Sequence, residues 1–172
     1  SLYSLGSTVD VNGCFFKGAT SGLNGGAVAS VDGKVNILKS LVTENICAGR
    51  GGGIFVKGDL GSHLSDLILT ANKAGMGGGL YAESASLTCR FNEFQSNEAS
   101  KGGAVYTKGC ALSVNSNDFV NNTALKGGGM YLEEGIVNIV SSNFSFNLAS
   151  GRAQEGGGGG GMFVNPENGN TT

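Results

Sequence analysis

The sequence predicts an all-β fold, a parallel β-helix of about six coils with about 25 residues per coil. The first observation is a phrase of two glycines, a small residue and an apolar residue, which returns six times along the 172 residues. Its copies span 25–28, 51–54, 77–80, 102–105, 127–130 and 159–162. The second observation is an apolar residue upstream of each copy: Phe16, Val42, Leu69, Phe94, Phe119 and Phe144. The third is an asparagine three residues later, from the second coil on: Asn45, Asn72, Asn97, Asn122 and Asn147.

The elements within each coil follow from the local pattern. Apolar residues alternate, as at Val35 and Ile37 or Val137 and Ile139, which is the period of a strand. A unit of about 25 residues is too short for two strands and a crossover helix, but it suits three short strands separated by bends. The glycine pairs fit bends with positive φ, and the repeated asparagines predict a ladder of amide hydrogen bonds.

The organisation is that of one unit. Residues 1–172 are predicted to form a single β-helix segment, part of a longer chain or of an end-to-end assembly, because stacked coils need capping at both ends. The last coil carries extra residues, so we expect a flexible glycine-rich loop over 149–160. A polar tail follows over 165–172.

Composition excludes several classes of partner and cofactor. The net charge of −2 provides no basic footprint for nucleic acid, and no apolar run is long enough to cross a membrane. The four cysteines lack metal-ligand spacing, and two of them, Cys47 and Cys89, fall in small or apolar columns, which favours free thiols. The glycine run over 156–161 lacks the Lys-Ser/Thr of a phosphate loop. We therefore expect no cofactor and no metal.

No catalytic constellation stands out, so we expect a protein that is not an enzyme. There is one histidine, His63, which is expected to be a solvated loop residue. The thirteen acidic residues look scattered, and no column collects the carboxylates that glycoside cleavage requires. Polysaccharide lyases and hydrolases on β-helices keep a carbohydrate-active alternative open by fold analogy alone.

Three N-glycosylation acceptor sites point to a secreted glycoprotein. Their asparagines are Asn121, Asn143 and Asn170. Asn143 shares its register with Glu93 and Asp118, so its side chain is expected to point outward. Asn121 shares its register with Glu44 and Ser96, but also with Phe146.

Three surface columns are predicted from strand alternation. An exposed aromatic ladder is expected as a stiffening stack or as a contact strip for sugars or proteins: Phe55, Tyr81, Tyr106, Tyr131 and Phe163. Two residues further on lies a charge ladder of alternating sign: Lys57, Glu83, Lys108 and Glu133. Before the Phe column, Phe15, Leu41 and Ile68 take the register of Glu93 and Asp118. This predicts either an outward apolar patch covered by a partner or a local shift of register.

The chain resembles the repeats of the chlamydial polymorphic outer membrane proteins. Residues 102–105 read as their Gly-Gly-Ala-aliphatic phrase, and 94–97, 119–122 and 144–147 as their Phe-x-x-Asn phrase. Similar repeats occur in large secreted proteins of algae and other protists. The resemblance implies a right-handed β-helix at the cell surface, as in autotransporter passengers that act as adhesins. The chain departs from the family in reading Gly-Gly-Gly in four copies.

These observations together predict a non-enzymatic extracellular structural glycoprotein, a building block of a cell-surface fibre or appendage. We expect it to associate with itself end to end or laterally, with glycans or other surface proteins as further partners. One alternative is an adhesin segment that binds host, matrix or glycans through the aromatic strip. Another is the non-catalytic part of a β-helix polysaccharide-active enzyme.

Overall fold

The computed structural model describes residues 1–58, 60–151 and 158–165. They form a β-solenoid of six coils, and every paired strand is parallel to its neighbour one coil away. The predicted fold class is thereby confirmed, and no helix occurs within these three ranges. None of their segments could therefore cross a bilayer as a helix.

The strands recur in the same order in each coil. Coil 1 contains β1 (Leu2–Leu5), β2 (Thr8–Asn12), β3 (Phe15–Lys17) and β4 (Thr20–Ser21). Coil 2 contains β5 (Val28–Val31), β6 (Lys34–Leu38), β7 (Leu41–Thr43) and β8 (Ile46–Arg50). Coil 3 contains β9 (Ile54–Lys57), β10 (Leu60–Ser65), β11 (Ile68–Thr70) and β12 (Lys73–Met76). Coil 4 contains β13 (Leu80–Glu83), β14 (Ser86–Arg90) and β15 (Glu93–Gln95).

Two long strands cross a corner in the later coils. Coil 5 contains β16 (Val105–Asn115), β17 (Asp118–Val120) and β18 (Thr123–Ala124). Coil 6 contains β19 (Met130–Val140), β20 (Asn143–Ser145) and β21 (Leu148–Ala149), and β22 (Met162–Asn165) opens a seventh coil on β19. Because β16 and β19 each continue through the first bend, the first two strand positions merge into one eleven-stranded sheet.

The coils present three faces. The eleven-stranded sheet forms the first, and a six-stranded sheet in the order β20-β17-β15-β11-β7-β3 forms the second. The third consists of β4, β8 and β12, then the pair β18 and β21, joined through single bridges at Glu98 and Lys101. These faces set the directions in which surface side chains point.

The core fills the lumen with columns of like residues. Phe94, Phe119 and Phe144 stack with ring centroids 4.9 and 4.4 Å apart and nearly parallel planes. Cys47 on β8 and Ala124 on β18 belong to the third face, and both are almost fully buried. Repetition of one residue size at one position lets each side chain pack on its copy, which gives dense packing without a wide core.

The five asparagines form a continuous ladder, which is buried at Asn45, Asn72, Asn97 and Asn122 and half-buried at Asn147. Each Nδ2 donates to the Oδ1 of the next asparagine at 2.9–3.1 Å, from Asn45 to Asn147. The second hydrogen of each amide goes to a backbone oxygen one coil back, as from Asn97 to Leu69 at 2.8 Å. Each Oδ1 also accepts a backbone N–H, so the bend is hydrogen-bonded where it lacks strand pairing.

A second polar ladder occupies the bend before the six-stranded sheet. Asn92 Oδ1 accepts from the N–H of Leu67, and Asn117 Oδ1 from the N–H of Asn92, both at 2.9 Å. Ser142 Oγ accepts from the N–H of Asn117 at 3.1 Å. Different residue types share one role here, which is why the repeat pattern does not reveal this ladder.

The glycine bend is sterically closed to side chains. Gly51 has a φ of 68°, and a Cβ on it would lie 2.3 Å from the carbonyl oxygen of Ile54. Gly109, at another bend, has a φ of 60° but open space around the Cβ position. The double glycine therefore reflects a close backbone approach as well as a left-handed conformation.

Parts of the predicted loop and tail lie outside the described residues. The loop predicted over 149–160 is described over 149–151, where Ala149 ends β21, and again from Gly158 onward. The tail predicted over 165–172 is described only at Asn165, the last residue of β22, so its acceptor Asn170 lies outside.

Candidate interaction surfaces

The aromatic ladder is stacked but buried, so its predicted exposure is wrong. Its rings lie 5.0–5.4 Å apart at their centroids. Phe55, Tyr81, Tyr106 and Tyr131 are at most 3% exposed, and Phe163 is partly buried. They form a cluster separate from the lumen core, so they do point away from it.

These rings are covered by four long side chains, those of Arg50, Met76, Lys101 and Lys126. The residue before each glycine bend pairs with its copy on the next coil, giving Asn24, Arg50, Met76, Lys101 and Lys126. Arg50 lies 5.4 Å from the ring centroid of Tyr81, and Lys101 lies 5.1 Å from that of Tyr131. Cations over aromatic faces are mutually attractive, and the sharp bend brings them there. The ladder therefore cannot act as an open contact strip.

The tyrosine hydroxyls are tied to the charge ladder. Tyr81 donates to Glu83 at 3.2 Å, and Tyr106 donates to Glu133. Burial, with the neighbouring carboxylates, raises the pKa of Tyr81 and of Tyr106. The hydrogen bond from Tyr106, helped by Lys108, lowers the pKa of Glu133.

The charges alternate in register as the sequence predicts. Lys57, Glu83, Lys108 and Glu133 are direct neighbours on β9, β13, β16 and β19. Lys57 lies 3.9 Å from Glu83, and Lys108 lies 3.0 Å from Glu133. Since the lysines are about half exposed, such pairs contribute only a few tenths of a kcal/mol each. The charge ladder therefore acts mainly by favouring this pairing register of the strands over a shifted one.

The outward apolar patch consists of Phe15, Leu41 and Ile68 on β3, β7 and β11. They are direct neighbours in the ladder, with no shift of register, and Phe15 and Ile68 are 62% and 44% exposed. Their neighbours Phe16, Val42 and Leu69 point into the lumen. The side chains of this column therefore form an exposed apolar stripe along the outer face of the six-stranded sheet.

Carboxylates continue the same column, contrary to the expectation that they are scattered. Glu93 and Asp118 are direct neighbours of each other, and Glu93 follows Ile68. With Asp66 and the exposed ring of Phe91, they line a surface groove of about 430 Å³. Glu93 and Asp118 occupy the same position on neighbouring strands. Asp66 reaches the groove from the bend before β11 and does not share their register.

An apolar cavity of about 530 Å³ lies at the last coil. It is lined by Leu132, Val137, Ile139, Met162 and Val164. Among the described residues, Ile136–Val140 of β19 pair only with β16, so one edge of this segment is open. This is the surface that the predicted end-to-end association would use.

Two of the three predicted acceptor asparagines are accessible. Asn143 is exposed on β20, in the same outward column as Asp118. Asn121 is exposed at a bend with a φ of 55°. Both side chains are open to modification, and both lie in the last two coils.

The remaining reactive side chains do not converge. Cys14, Cys47, Cys89 and Cys110 are free thiols, and burial raises the pKa of Cys89 to about 12. Cys110 lies within β16, and His63 is an exposed residue of β10, not a loop residue. Within the described ranges, no group of three His, Cys, Asp or Glu side chains is arranged to hold a metal ion.

No model of a known protein family matches the chain, and neither a curated protein nor a solved structure matches it. The resemblance to the polymorphic outer membrane proteins stays a prediction, because a solenoid of parallel strands does not identify a family.

Proposed function

We propose that the protein is a non-enzymatic extracellular structural glycoprotein, a rigid building block of a cell-surface fibre or appendage. The observation that carries this proposal is the outward patch of Phe15, Leu41 and Ile68 on the six-stranded sheet. Exposed apolar columns of this kind favour protein contact, and a subunit of an assembly needs such a surface.

Rigidity supports the same function. The buried asparagine ladder and two aromatic stacks continue from coil to coil. Each coil is held to the next by side-chain as well as backbone contacts, so bending of the rod must break many of them together. A stiff rod is suited to bear load or to space other molecules.

The extracellular location rests on the accessible acceptor sites at Asn121 and Asn143 and on the family resemblance. Peptide mapping of native material tests it. We expect glycan at one or both positions, and unmodified asparagines at both would remove this support.

Assembly is tested by sedimentation velocity and single-particle electron microscopy of the purified chain. We expect the wild type to associate, and the double variant Phe15→Ser with Ile68→Thr should not associate. Val120→Thr, on β17 of the same sheet but outside the patch, is the matched control and should associate as the wild type does. Isolated rods of wild type at every concentration, or patch variants that associate normally, would contradict the proposal.

The groove beside the patch favours a second candidate function, binding of glycans. An exposed aromatic ring next to Asp66, Glu93 and Asp118 offers a stacking surface and hydrogen-bond acceptors for sugar hydroxyls. Phe91→Ser should remove oligosaccharide binding on a glycan array. Phe146→Ser is the control, because Phe146 is equally a bend residue of positive φ, 84% exposed, and lies outside the groove. Absence of any wild-type binding would exclude this candidate.

A further inference from the structure

The first and last coils present open strand edges at three positions of the coil. In coil 1, β2, β3 and β4 each pair, within the described ranges, only with the strand of coil 2. In coil 6, the segment 136–140 of β19 and the strands β20 and β21 each pair, among the same residues, only with coil 5. The backbone N–H and C=O groups of such edges are free to pair with a further strand.

The side chains of these two coils match position by position. Three apolar lumen positions of coil 1 correspond in register to three of coil 6: Val9 to Val137, Val11 to Ile139, and Phe16 to Phe144. The coil 6 residues are half-buried, whereas Leu112, Val114 and Phe119 at the same positions of coil 5 are at most 3% exposed. A coil stacked on coil 6 would therefore bury apolar surface, and coil 1 of a second copy has the side chains to do so.

The remaining strand position is occupied at both ends. Leu2 on β1 and Met162 on β22 belong to one continuous ladder, so the two strands hold the same place in the coil. If β2 of a second copy paired with the segment 136–140, its β1 would fall on the place that β22 already holds on β19. One of these two strands must therefore leave when the two ends meet.

Of the two strands, β1 fits this place less well. Ser4 on β1 and its neighbour Ser30 on β5 are buried, and in the described part of the chain neither hydroxyl has a hydrogen-bond partner. A buried hydroxyl without a partner destabilises the strand that carries it. The position of Ser4 is taken on β22 by Val164. Phe163 of β22 also stacks on the aromatic ladder at 5.0 Å, whereas Tyr3 at the same position of β1 is 69% exposed.

We propose that β22 of one copy replaces β1 in a second copy, so that the two chains join end to end in one continuous solenoid. β22 then pairs with β19 of its own chain and with β5 of the second copy, where Val164 packs on Ser30. The strands β2, β3 and β4 of the second copy continue the three open edges of coil 6. Such a head-to-tail contact repeats without closing and produces a fibre. The inference rests on the proposed function as a fibre subunit and identifies the partner and the contact.

The apolar patch has a role in this exchange. All four residues of β1 are paired with β5, and these pairs must separate before β22 can take their place. This step opposes association in dilute solution, whereas copies that the patch of Phe15, Leu41 and Ile68 already holds together meet at a high effective concentration. We therefore expect end contacts to form within assemblies that depend on the patch.

Disulfide trapping tests the exchange in a Cys14→Ser background, which removes the exposed native thiol. In the proposed contact Asn165 of one copy is the direct neighbour of Val31 of the next. A mixture of Val31→Cys and Asn165→Cys chains in glutathione redox buffer should therefore give trapped dimers. Leu5→Cys mixed with Asn165→Cys is the matched control, because these positions meet only if β1 stays in place and lies on β22. The first mixture should exceed the second at least about tenfold in yield, and an equal or larger yield from the second would overturn the exchange.

Two substitutions test why β1 is the strand that leaves. Ser4→Val in the Val31→Cys chain removes the unpaired hydroxyl from β1, and Val164→Ser in the Asn165→Cys chain places one on β22. Each should lower the yield of trapped dimer at least about fivefold. Val164 is 60% exposed in the single chain, so Val164→Ser should leave thermal unfolding close to wild type. Unchanged yields for both variants would contradict the proposed exchange.

A third substitution should strengthen the contact. Ala19 holds the position of the asparagine ladder in coil 1, where its N–H donates to Asn45 Oδ1 at 2.9 Å. In the proposed junction Ala19 lies on Asn147 of the first copy, so the amide ladder is interrupted there. Ala19→Asn in the Val31→Cys chain supplies an acceptor for the backbone and side-chain N–H groups of Asn147, and the yield should rise at least about fivefold. No increase would contradict the register of the junction.

The failure of this contact is distinguishable from the failure of the proposed function. In electron microscopy the wild-type fibre should repeat every six coils, roughly 29 Å, because β22 takes the place of β1. Phe15→Ser with Ile68→Thr should abolish trapping, and trapping that persists would contradict the role of the patch. If the wild type assembles but the Val31→Cys and Asn165→Cys mixture gives no more product than its control, the exchange is wrong while the structural function stands. If the wild type does not associate at all, both fail.

Discussion

Replacing Asn97 with alanine removes one rung from the middle of the buried ladder. The side chain is fully buried, donates to Leu69 O and Asn122 Oδ1, and accepts from the backbone and side-chain N–H groups of Asn72. Asn122 Oδ1 keeps the backbone N–H of residue 97 as a donor. Three buried groups, Leu69 O, Asn72 N and Asn72 Nδ2, therefore lose a partner.

The expected loss follows from these three groups. Asn72 Nδ2 still donates its other hydrogen to Val42 O at 2.8 Å. Because an unpaired buried polar group costs about 1–3 kcal/mol, the free energy of unfolding should fall by about 3 kcal/mol. With a urea m-value of roughly 2 kcal/mol/M, the unfolding midpoint should fall by about 1.5 M. Circular dichroism during urea titration measures both quantities.

Asn138→Ala is the matched control. Asn138 is exposed on β19, so its replacement should change the free energy of unfolding by no more than about 0.5 kcal/mol. If the two variants differ by less than about 1 kcal/mol, the ladder does not stabilise the solenoid as argued.

Other expectations concern bends and tyrosines. Gly51→Ala should lower the free energy of unfolding by more than about 3 kcal/mol, because the added Cβ collides with backbone atoms, whereas Gly109→Ala should lower it by about 1 kcal/mol. Similar losses for the two variants in thermal melts would refute the steric argument. Ser84→Gly, at a φ of 50°, should raise the melting temperature by relieving about 1 kcal/mol of left-handed strain; an unchanged or lower melting temperature would contradict this. The raised tyrosine pKa values favour the protonated ladder, so stability should be complete below the unfolded value of about 10 and fall as the pH rises above it. In a Tyr3→Phe chain, which lacks the exposed tyrosine, tyrosinate absorbance should appear together with unfolding; its appearance in the folded state would refute the burial argument.

The sequence predicts the register well because one residue type recurs at one position. The asparagines at 72, 97 and 122 and the phenylalanines at 94 and 119 each repeat with the coil, and a repeated side chain has the same neighbours each time. Both ladders follow directly from that regularity, as does the alternation of Lys57 and Glu83.

Burial of the aromatic ladder was not predictable in the same way. Alternation along a strand gives the side of the sheet on which Tyr81 lies, but it does not give the segment that folds over that side. The covering column differs in each coil, from Arg50 to Met76 to Lys101, so no repeated letter reveals it. What these residues share is a long flexible stem, which a pattern of polarity does not show.

The groove lined by Asp66, Phe91, Glu93 and Asp118 was not predicted from the sequence for a related reason. Glu93 and Asp118 share one register and could be paired from the sequence, whereas Asp66 reaches the same groove from a bend. Spacing along a strand does not describe how a corner turns, and Phe91 is brought there by a bend of positive φ.

The coil-by-coil register also limits how such a chain can change in length. Asn72, Asn97 and Asn122 are spaced by 25 residues, and the backbone bonds between their coils repeat at the same interval. Removal or duplication of one whole coil would rejoin every ladder to an equivalent neighbour. Loss of a few residues from within a strand would instead move apolar side chains out of the lumen in that coil and misalign both junctions. The length of the rod can therefore change readily only in steps of one coil, about 4.8 Å.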